Sequence, residues 1–463
     1  MNFPKILLTV LVLMYFHCPR GYAQSKLVVD KVLHEYLTTQ QQRMRFSGVV
    51  MVSIDNHIIY QDVVGLASRE LSVPVTPKSV FRIASITKQF TALLTLLAEE
   101  EDRLTLADSL GHFFPELTDS NWQKITLHQL LTHTSGLPHN EGIANYWNIK
   151  SFLPLSDKQA IAEIFDLKLL ADPGKETHYS SPGYFLLASV LEKVYQDTYA
   201  NIVARKMTVP LGLANTGVAS SRKIIPQLTS AYHMLGDSMM VAPNRDFSLM
   251  KGSGDLYASA EDLTRWNSRL LADTMWTEEI KKKLFSVHNQ QPVHGNEDAY
   301  GYGWFIRSGD DRKRKAYYTG GGTFGCSAIS VIYPKEKMSI VILSNVSALP
   351  VNELWHDIEK IVFGEDFELP VIHIERQLSS EHLGKMSGKY VAENGMALSI
   401  SLSGNQLYAK LGNNPIFEIY PEQRFRFYGK KVEVALHFQS DEEGNITRVE
   451  AERKGQKVTF SKQ

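Results

Sequence analysis

The first hundred residues change from a strand pattern to a helix pattern. The apolar run Val49–Val52 leads into a polar turn at Asp55–His57, and Ile58–Tyr60 is a second apolar run, so a β-hairpin is predicted. From Thr87 onward, apolar residues recur three and four positions apart as far as Leu97, and this spacing predicts a buried or amphipathic helix.

Strand character returns far along the chain, in residues 316–345. Between the two strand regions, residues 105–275 alternate short helical patterns with turns marked by glycine and proline. The β-rich runs Ser327–Tyr333 and Met338–Leu343 flank a charged turn and predict a second hairpin, and residues 350–362 have a helical pattern. Strands at both ends with helices between them indicate an α+β domain, whose sheet unites distant segments.

The last part of the chain contains only short strands and turns. Beyond a boundary that we place near 365–380, about eight β-rich runs follow one another from Gly388 to Phe460, which is typical of a small antiparallel barrel or sandwich. The expected organisation is therefore a mixed domain over 24–368 and an all-β domain over 380–463.

Residues 1–23 resemble a secretory signal. Lys5 supplies the positive charge, Ile6–Phe16 is apolar apart from one threonine, and Gly21–Ala23 offers small residues for cleavage. An uncleaved anchor is the alternative, but the run of 11 residues is short of the roughly 20 that a spanning helix needs. We expect an exported chain with no transmembrane anchor after cleavage.

Composition excludes several classes of protein. Hydrophobic residues make up 43% of the chain and the net charge is −1, which argues against disorder and against a nucleic-acid partner. Two cysteines, Cys18 and Cys326, exclude a disulfide scaffold and a cysteine-rich zinc module. The histidines show no recognised metal spacing, so we expect no metal and no cofactor. The expected ligand is a small molecule or short peptide, and the oligomeric state stays open.

Candidate chemistry begins with Ser85 and Lys88, one helical turn apart. A serine hydroxyl becomes nucleophilic when a neighbouring base takes its proton, and a lysine can be that base when burial lowers its pKa. The S-x-x-K pattern occurs three times, and only this copy opens an apolar helix after a β-rich segment. The alternative is a helix-capping serine beside a surface lysine.

Two further segments fit the same chemistry. Tyr179 precedes an apolar helix and could serve as a base or proton shuttle, although a core tyrosine is the alternative. The segment Thr319–Thr323 contains Gly320, Gly321 and Gly322, whose backbone a substrate carbonyl can approach closely. A free N–H there could complete an oxyanion hole with the N–H of Ser85, whereas a flexible loop is the alternative.

These segments together resemble the serine β-lactamase-related family of penicillin-recognising hydrolases. The matching stretches are Phe81–Lys88, Leu130–Leu137 and Tyr179–Ser181. The resemblance implies a β-lactamase/transpeptidase-like fold, with Ser85 as the acylated nucleophile, Lys88 as its base and Tyr179 as the proton shuttle. It also places Thr319, Gly320 and Gly321 on the third motif and Gly322 on the oxyanion N–H, and it likens the all-β domain to a lipocalin.

Two positions depart from that family. Ser181 stands where asparagine is frequent, and Thr319 stands where lysine or histidine usually directs positive charge at a substrate carboxylate. Losing such a contact costs about 1.5–3 kcal/mol. We therefore expect a peptidase, carboxypeptidase or esterase with poor β-lactam turnover. The alternative is a non-catalytic sensor or ligand-binding protein that kept the fold.

Overall fold

The protein consists of two compact units. In this computed structural model, residues 19–235, 238–272, 276–309, 314–412, 414–429, 432, 434–453 and 456–463 are described, with side chains from Val28 onward. The chain divides into two compact units, Met1–Glu368 and Leu369–Gln463. Most of the predicted signal segment lies outside the described residues.

The strands of the N-terminal unit form one large and several small sheets. They are β1 (Gly48–Ile54), β2 (His57–Val64), β3 (Leu66–Ser68), β4 (Val73–Pro74), β5 (Val80–Arg82), β6 (Gly217–Val218), β7 (Tyr232–Leu235), β8 (Ser238–Val241), β9 (Leu256–Ser259), β10 (Ala299–Tyr300), β11 (Phe305–Arg307), β12 (Ala316–Thr323), β13 (Cys326–Tyr333) and β14 (Met338–Ser344).

The main sheet has seven strands in the order β10-β11-β12-β13-β14-β1-β2, and every neighbouring pair is antiparallel. The pairing of β14 with β1 sets Gly48 opposite Ser344, so the predicted union of distant segments is confirmed. Both predicted hairpins are present. The first turns at Asp55 and Asn56, whose positive φ angles of 47° and 66° suit the tight turn of a twisted hairpin.

Helices cover the sheet and fill the region between its strands. They are α1 (Pro19–Met44), α2 (Thr87–Glu100), α3 (Leu110–Phe113), α4 (Ser120–Lys124), α5 (Leu127–Leu131), α6 (Asp157–Phe165), α7 (Ser181–Tyr195), α8 (Tyr199–Val203), α9 (Val209–Leu211), α10 (Ala260–Leu271), α11 (Glu278–Phe285) and α12 (Val351–Phe363). Among the described residues, no helix is long and apolar enough to cross a membrane.

Helix α2 lies in the centre of the largest apolar cluster. Its residues from Thr87 to Leu96 are all buried, and the Phe90 ring stacks on Trp266 of α10 at 4.2 Å. The neighbouring helix α7 packs against it, and α10 packs on the main sheet. The apolar periodicity predicted this helix. Burial on every side makes it a rigid support for the residues at its N-terminal end.

A small sheet in the order β5-β9-β6 fixes where that end lies. Val80 pairs with Ser259, and Arg82 pairs with Tyr257. The chain therefore enters α2 directly beside the residues that precede β9, and this pairing determines which groups surround the first turn of the helix.

The C-terminal unit is a closed antiparallel barrel of eight strands preceded by helix α13 (Ser380–Met386). The strands are β15 (Gly388–Ala392), β16 (Ala397–Ser403), β17 (Gln406–Leu411), β18 (Phe417–Pro421), β19 (Arg426–Gly429), β20 (Ala435–Ser440), β21 (Ile446–Arg453) and β22 (Gln456–Lys462). Alternating residues such as Leu398 and Ile400 point inward, and aromatic residues including Phe427 and Phe438 complete the core. The predicted fold class, a mixed domain followed by a small β-barrel, is confirmed.

Candidate active site

Ser85 lies where strand β5 gives way to helix α2. A single 3-10 turn over Ala84–Ile86 joins the two elements, and Ala84 takes a positive φ of 44°. Residues other than glycine rarely adopt this backbone conformation, so the backbone at Ala84 is strained. The turn leaves Ser85 partly exposed between residues that are buried on both sides.

Lys88 is fully buried one turn further along α2. Its ammonium nitrogen donates to Ser85 Oγ at 3.2 Å, to Ser181 Oγ at 3.2 Å and to the Ser253 carbonyl oxygen at 2.8 Å. All three acceptors are uncharged. Burial lowers the pKa of Lys88 to about 7, while the buried carboxyl of Asp255 opposes this shift. Near neutral pH, a substantial fraction of Lys88 is therefore unprotonated, with its nitrogen within hydrogen-bond distance of Ser85 Oγ.

Tyr179 packs directly against this pair. Its ring centre lies 4.8 Å from Lys88 Nζ, and the rings of His133 and His294 approach it to 4.4 Å and 5.3 Å. Burial raises the pKa of Tyr179 to about 12, and a side-chain hydrogen bond with Ser85 works in the opposite direction. The phenol is protonated at neutral pH and can donate a proton.

Two histidines, the buried His133 and the half-buried His139, hold the segment that follows Tyr179. The Ser180 amide donates to His133 Nδ1 at 3.1 Å, and the Ser181 amide donates to His139 Nδ1 at 3.2 Å. Burial, reinforced by the charge of Lys88, lowers the pKa of His133 well below its usual value and that of His139 to about 3. Both rings are therefore neutral at physiological pH and accept these backbone hydrogen bonds.

The glycine-rich segment lies beside Ser85. Strand β11 pairs with β12 only as far as Tyr318, so in the described residues the edge from Thr319 to Gly322 has no strand partner on that side. A β-carbon on Gly321 would lie 2.2 Å from the Ile83 carbonyl oxygen and 3.3 Å from the Ser85 amide nitrogen. Only glycine allows this approach. Gly322 is exposed, and a β-carbon there would meet nothing within 4 Å.

The side chain of Thr319 bonds to the protein itself and is not free to contact a ligand. It is buried, and its hydroxyl donates to the Gly303 carbonyl oxygen at 2.7 Å. Gly303 in turn packs against the Lys88 carbonyl, with a positive φ of 78°. Thr319 thereby ties the start of the glycine-rich edge to the helix that carries Lys88.

The structure thus brings Ser85, Lys88, Tyr179 and Ser181 together beside Gly321. Sequence reasoning missed four groups at this site: the Ser253 carbonyl, Asp255, His139 as an acceptor, and His294. The Gly252–Gly254 turn immediately before a β-rich run was the available signal for the first two. In the described part of the chain, no cluster of three or more histidine, cysteine or acidic residues is arranged to hold a metal ion.

A comparison with known families matches the beta-lactamase family model over residues 30–361. The chain belongs to the beta-lactamase family. This is a group of penicillin-binding-like serine hydrolases. The match covers the whole region that forms the site, from the strands before Ser85 to the helix after β14.

Individual relatives extend the similarity further along the chain. Penicillin-binding protein 4* of Bacillus subtilis (strain 168) is 25% identical over 434 residues, which is 88% of this chain and 93% of the relative. Two solved structures share the fold. The octameric penicillin-binding protein homologue from Pyrococcus abyssi has a TM-score of 0.68 at 21% identity, covering 93% of this chain and 99% of that one. EstCE1, a hydrolase with promiscuous acyltransferase activity, has a TM-score of 0.64 at 21% identity, covering 74% and 99%.

Proposed function

We propose that this protein is a serine hydrolase that cleaves amide or ester substrates through an acyl-enzyme. The observation that carries the proposal is the 3.2 Å separation of Nζ of the fully buried Lys88 from Oγ of the partly exposed Ser85. A lysine whose pKa is lowered to about 7 can accept the serine proton at physiological pH. Membership of the beta-lactamase family supports the same chemistry.

Acylation starts with transfer of the Ser85 hydroxyl proton to neutral Lys88. The Ser85 oxygen then forms a bond to the substrate carbonyl carbon, and the negative charge moves to the carbonyl oxygen. The N–H groups of Ser85 and Gly322 stabilise that oxyanion, because Gly321 holds strand β12 against the serine backbone.

The bond to the leaving group breaks as its nitrogen or oxygen receives a proton. Tyr179 supplies this proton, because its pKa of about 12 keeps the phenol protonated and it lies beside both Lys88 and Ser85. The proton held by Lys88 replaces it. Water then attacks the acyl-enzyme, its proton returns through the same groups, and Ser85 is regenerated with release of the acid.

Peptides and simple esters are the proposed substrates, with poor turnover of β-lactams. Thr319 is neutral, and its hydroxyl is already bonded to the Gly303 carbonyl. Ser181 reaches Lys88 with a short side chain in place of an amide. The edge from Thr319 to Gly322 therefore offers backbone groups without a side-chain cation for a substrate carboxylate.

The decisive comparison is hydrolysis of nitrocefin and of short-chain para-nitrophenyl esters by the same preparation, with Ser85→Ala as the control. We expect ester hydrolysis that disappears in the variant and little nitrocefin turnover. Efficient nitrocefin turnover would overturn the proposed preference. No hydrolysis of any substrate by the folded wild type would favour the non-catalytic sensor.

We also propose that the protein is exported. This rests on the sequence of residues 1–23, with its positive start, apolar run and small residues at Gly21–Ala23. N-terminal sequencing of protein recovered from outside the cytoplasm should give a chain that begins at Gln24. Recovery of the intact N-terminus in the cytoplasm would contradict it.

A further inference from the structure

Arg245 lies within a group of three aromatic rings. Its guanidinium carbon is 3.7 Å from the ring centre of Phe324, 4.6 Å from that of Phe152 and 5.1 Å from that of Trp147. The side chain is only 9% exposed, whereas Trp147 and Phe152 are 42% and 40% exposed. The rings thus form a partly open wall around a cation that is largely withdrawn from water.

The charge of Arg245 has no counter-ion in the described part of the chain. Its hydrogen bonds go to neutral groups, the Ser151 hydroxyl and the Trp147 carbonyl, and its buried Nε has no partner. Burial lowers the pKa of this guanidinium. A cation withdrawn from water is normally paired, so an unpaired one indicates a place for an anion.

Another stacked arginine provides a contrast. Arg314 lies 3.6 Å from the ring centre of Phe363, nearly the distance found for Arg245 and Phe324. Arg314, however, forms an ion pair with Glu365 at 2.5 Å. Stacking on a phenylalanine ring therefore does not prevent an arginine from pairing with a carboxylate. Arg245 differs from Arg314 because it has no such partner among the described residues.

The position of Phe324 relates Arg245 to the reacting serine. Gly321 contacts the Ser85 backbone, and Phe324 follows three residues later in the turn after β12. An extended chain advances at most ~3.3–3.6 Å per residue, so this end of the edge lies within about 11 Å of Gly321. Arg245 is stacked on Phe324, so its guanidinium lies at the end of this edge beyond Gly322.

The two ends of this edge differ in what they offer to a substrate. Tyr179, the proposed proton donor to the leaving group, is grouped with His133 and His294, and His133 bonds to Tyr300 of β10. Strand β10 pairs with β11, which pairs with β12 up to Tyr318. The leaving group is therefore directed toward the Thr319 end, and the acyl group is directed toward Phe324.

We propose that Arg245 binds a carboxylate at the far end of the acyl group, and so selects acidic acyl groups such as the half-esters or half-amides of dicarboxylic acids. This inference rests on the proposed hydrolase function. The ion pair would form against three aromatic rings, where low exposure to water strengthens a charge-assisted hydrogen bond.

The first test compares para-nitrophenyl half-esters of dicarboxylic acids, from succinyl to suberyl, with methyl-terminated esters of matched length. The measured quantity is the ratio of kcat/KM for the acidic ester to that for the neutral ester. We expect at least one chain length at which wild type favours the acidic ester.

Arg245→Met should lower that kcat/KM ratio about tenfold or more, as loss of a charge-assisted contact predicts. Arg245→Lys should retain a ratio above that of the methionine variant. Arg314→Met is the matched control and should leave the ratio unchanged.

The second test separates this inference from the proposed function. Binding of the free dicarboxylates to the Ser85→Ala protein, measured by calorimetry, requires no turnover and should weaken about tenfold or more in the Ser85→Ala/Arg245→Met double variant. Equal affinities would overturn the inference, as would a kcat/KM ratio that is the same in wild type and Arg245→Met. An equal loss on acidic and neutral esters would also overturn it, since that result assigns Arg245 a purely structural role.

Discussion

Lys88 Nζ lies at the same distance, 3.2 Å, from Ser85 Oγ and from Ser181 Oγ. One hydroxyl is the proposed nucleophile, and the other belongs to the first residue of α7. The lysine is therefore held between two helices, with the Ser253 carbonyl as its third partner. Ser181 therefore helps to hold the lysine in position beside Ser85.

Replacing Ser181 with alanine should slow the reaction. The variant removes one of three acceptors around Lys88, and a hydrogen bond to a charged group contributes about 1.5–3 kcal/mol. We expect kcat/KM for ester substrates to fall by about tenfold or more. Ser180→Ala is the control, because Ser180 caps α7 through the Gly183 amide and should cost stability, about 1 kcal/mol, with a smaller change in rate. Equal rates for wild type and Ser181→Ala would contradict the assignment.

The rate should depend on pH through Lys88. With a pKa lowered to about 7, the lysine is protonated below that pH and cannot take the Ser85 proton. We expect kcat/KM to rise tenfold per pH unit on the acid side, to bend near pH 7 and to level off above it. Lys88→Arg should abolish the activity, because a guanidinium stays protonated. A rate that is flat from pH 5 to 9 would exclude Lys88 as the base.

The two neighbouring glycines of β12 should respond differently to alanine. In Gly321→Ala the new methyl group would clash with the Ile83 carbonyl at 2.2 Å and push the strand away from the Ser85 amide. Loss of an oxyanion donor costs about a hundredfold or more in kcat. Gly322→Ala keeps its N–H and meets no atom within 4 Å, so it should retain far more activity. Similar kcat values for the two variants would contradict the proposed oxyanion hole.

A buried ion pair away from the site should govern acid stability. The two terminal nitrogens of the Arg307 guanidinium bond to the Glu359 carboxylate, at 2.9 Å and 2.6 Å. Burial opposes ionisation of Glu359, but the interactions with His356 and with Arg307 hold its pKa near 2. A carboxyl whose folded pKa is below its unfolded value stabilises the protein above about pH 4.5, and this contribution is lost as the pH falls toward 2.

Glu359→Gln should therefore lower the free energy of unfolding by about 3–5 kcal/mol at pH 7. It should also flatten the loss of stability between pH 4.5 and 2. Urea unfolding at several pH values measures both effects. Equal pH dependence in wild type and variant would show that other carboxylates dominate.

Local patterns in the sequence predicted much of the fold. The helical spacing after Thr87 predicted α2, which runs from Thr87 to Glu100, and the β-rich runs that begin at Gly388 predicted strands of the barrel such as β16. Both depend on short-range periodicity that tertiary packing left intact. The union of β1 with β14 could be inferred only in outline, because pairing between strands almost 300 residues apart is set by packing.

The site was less accessible to sequence reasoning for a related reason. Ser85, Lys88 and Tyr179 could be recognised because each lies in a distinctive short motif. The Ser253 carbonyl acts through its backbone, and no residue type marks such a group. His294 is exposed on a loop and reaches Tyr179 only through the fold, while Arg245 is brought to Phe324 by tertiary packing.

The intact mass of the protein after reaction with an acylating active-site probe tests most directly whether Ser85 is the nucleophile. Wild type and Ser85→Ala should be treated side by side, with circular dichroism showing that both are folded. We predict one covalent adduct on wild type, located at Ser85 by peptide mapping, and none on Ser85→Ala. An adduct of equal yield on Ser85→Ala, or no adduct on folded wild type, would contradict this prediction.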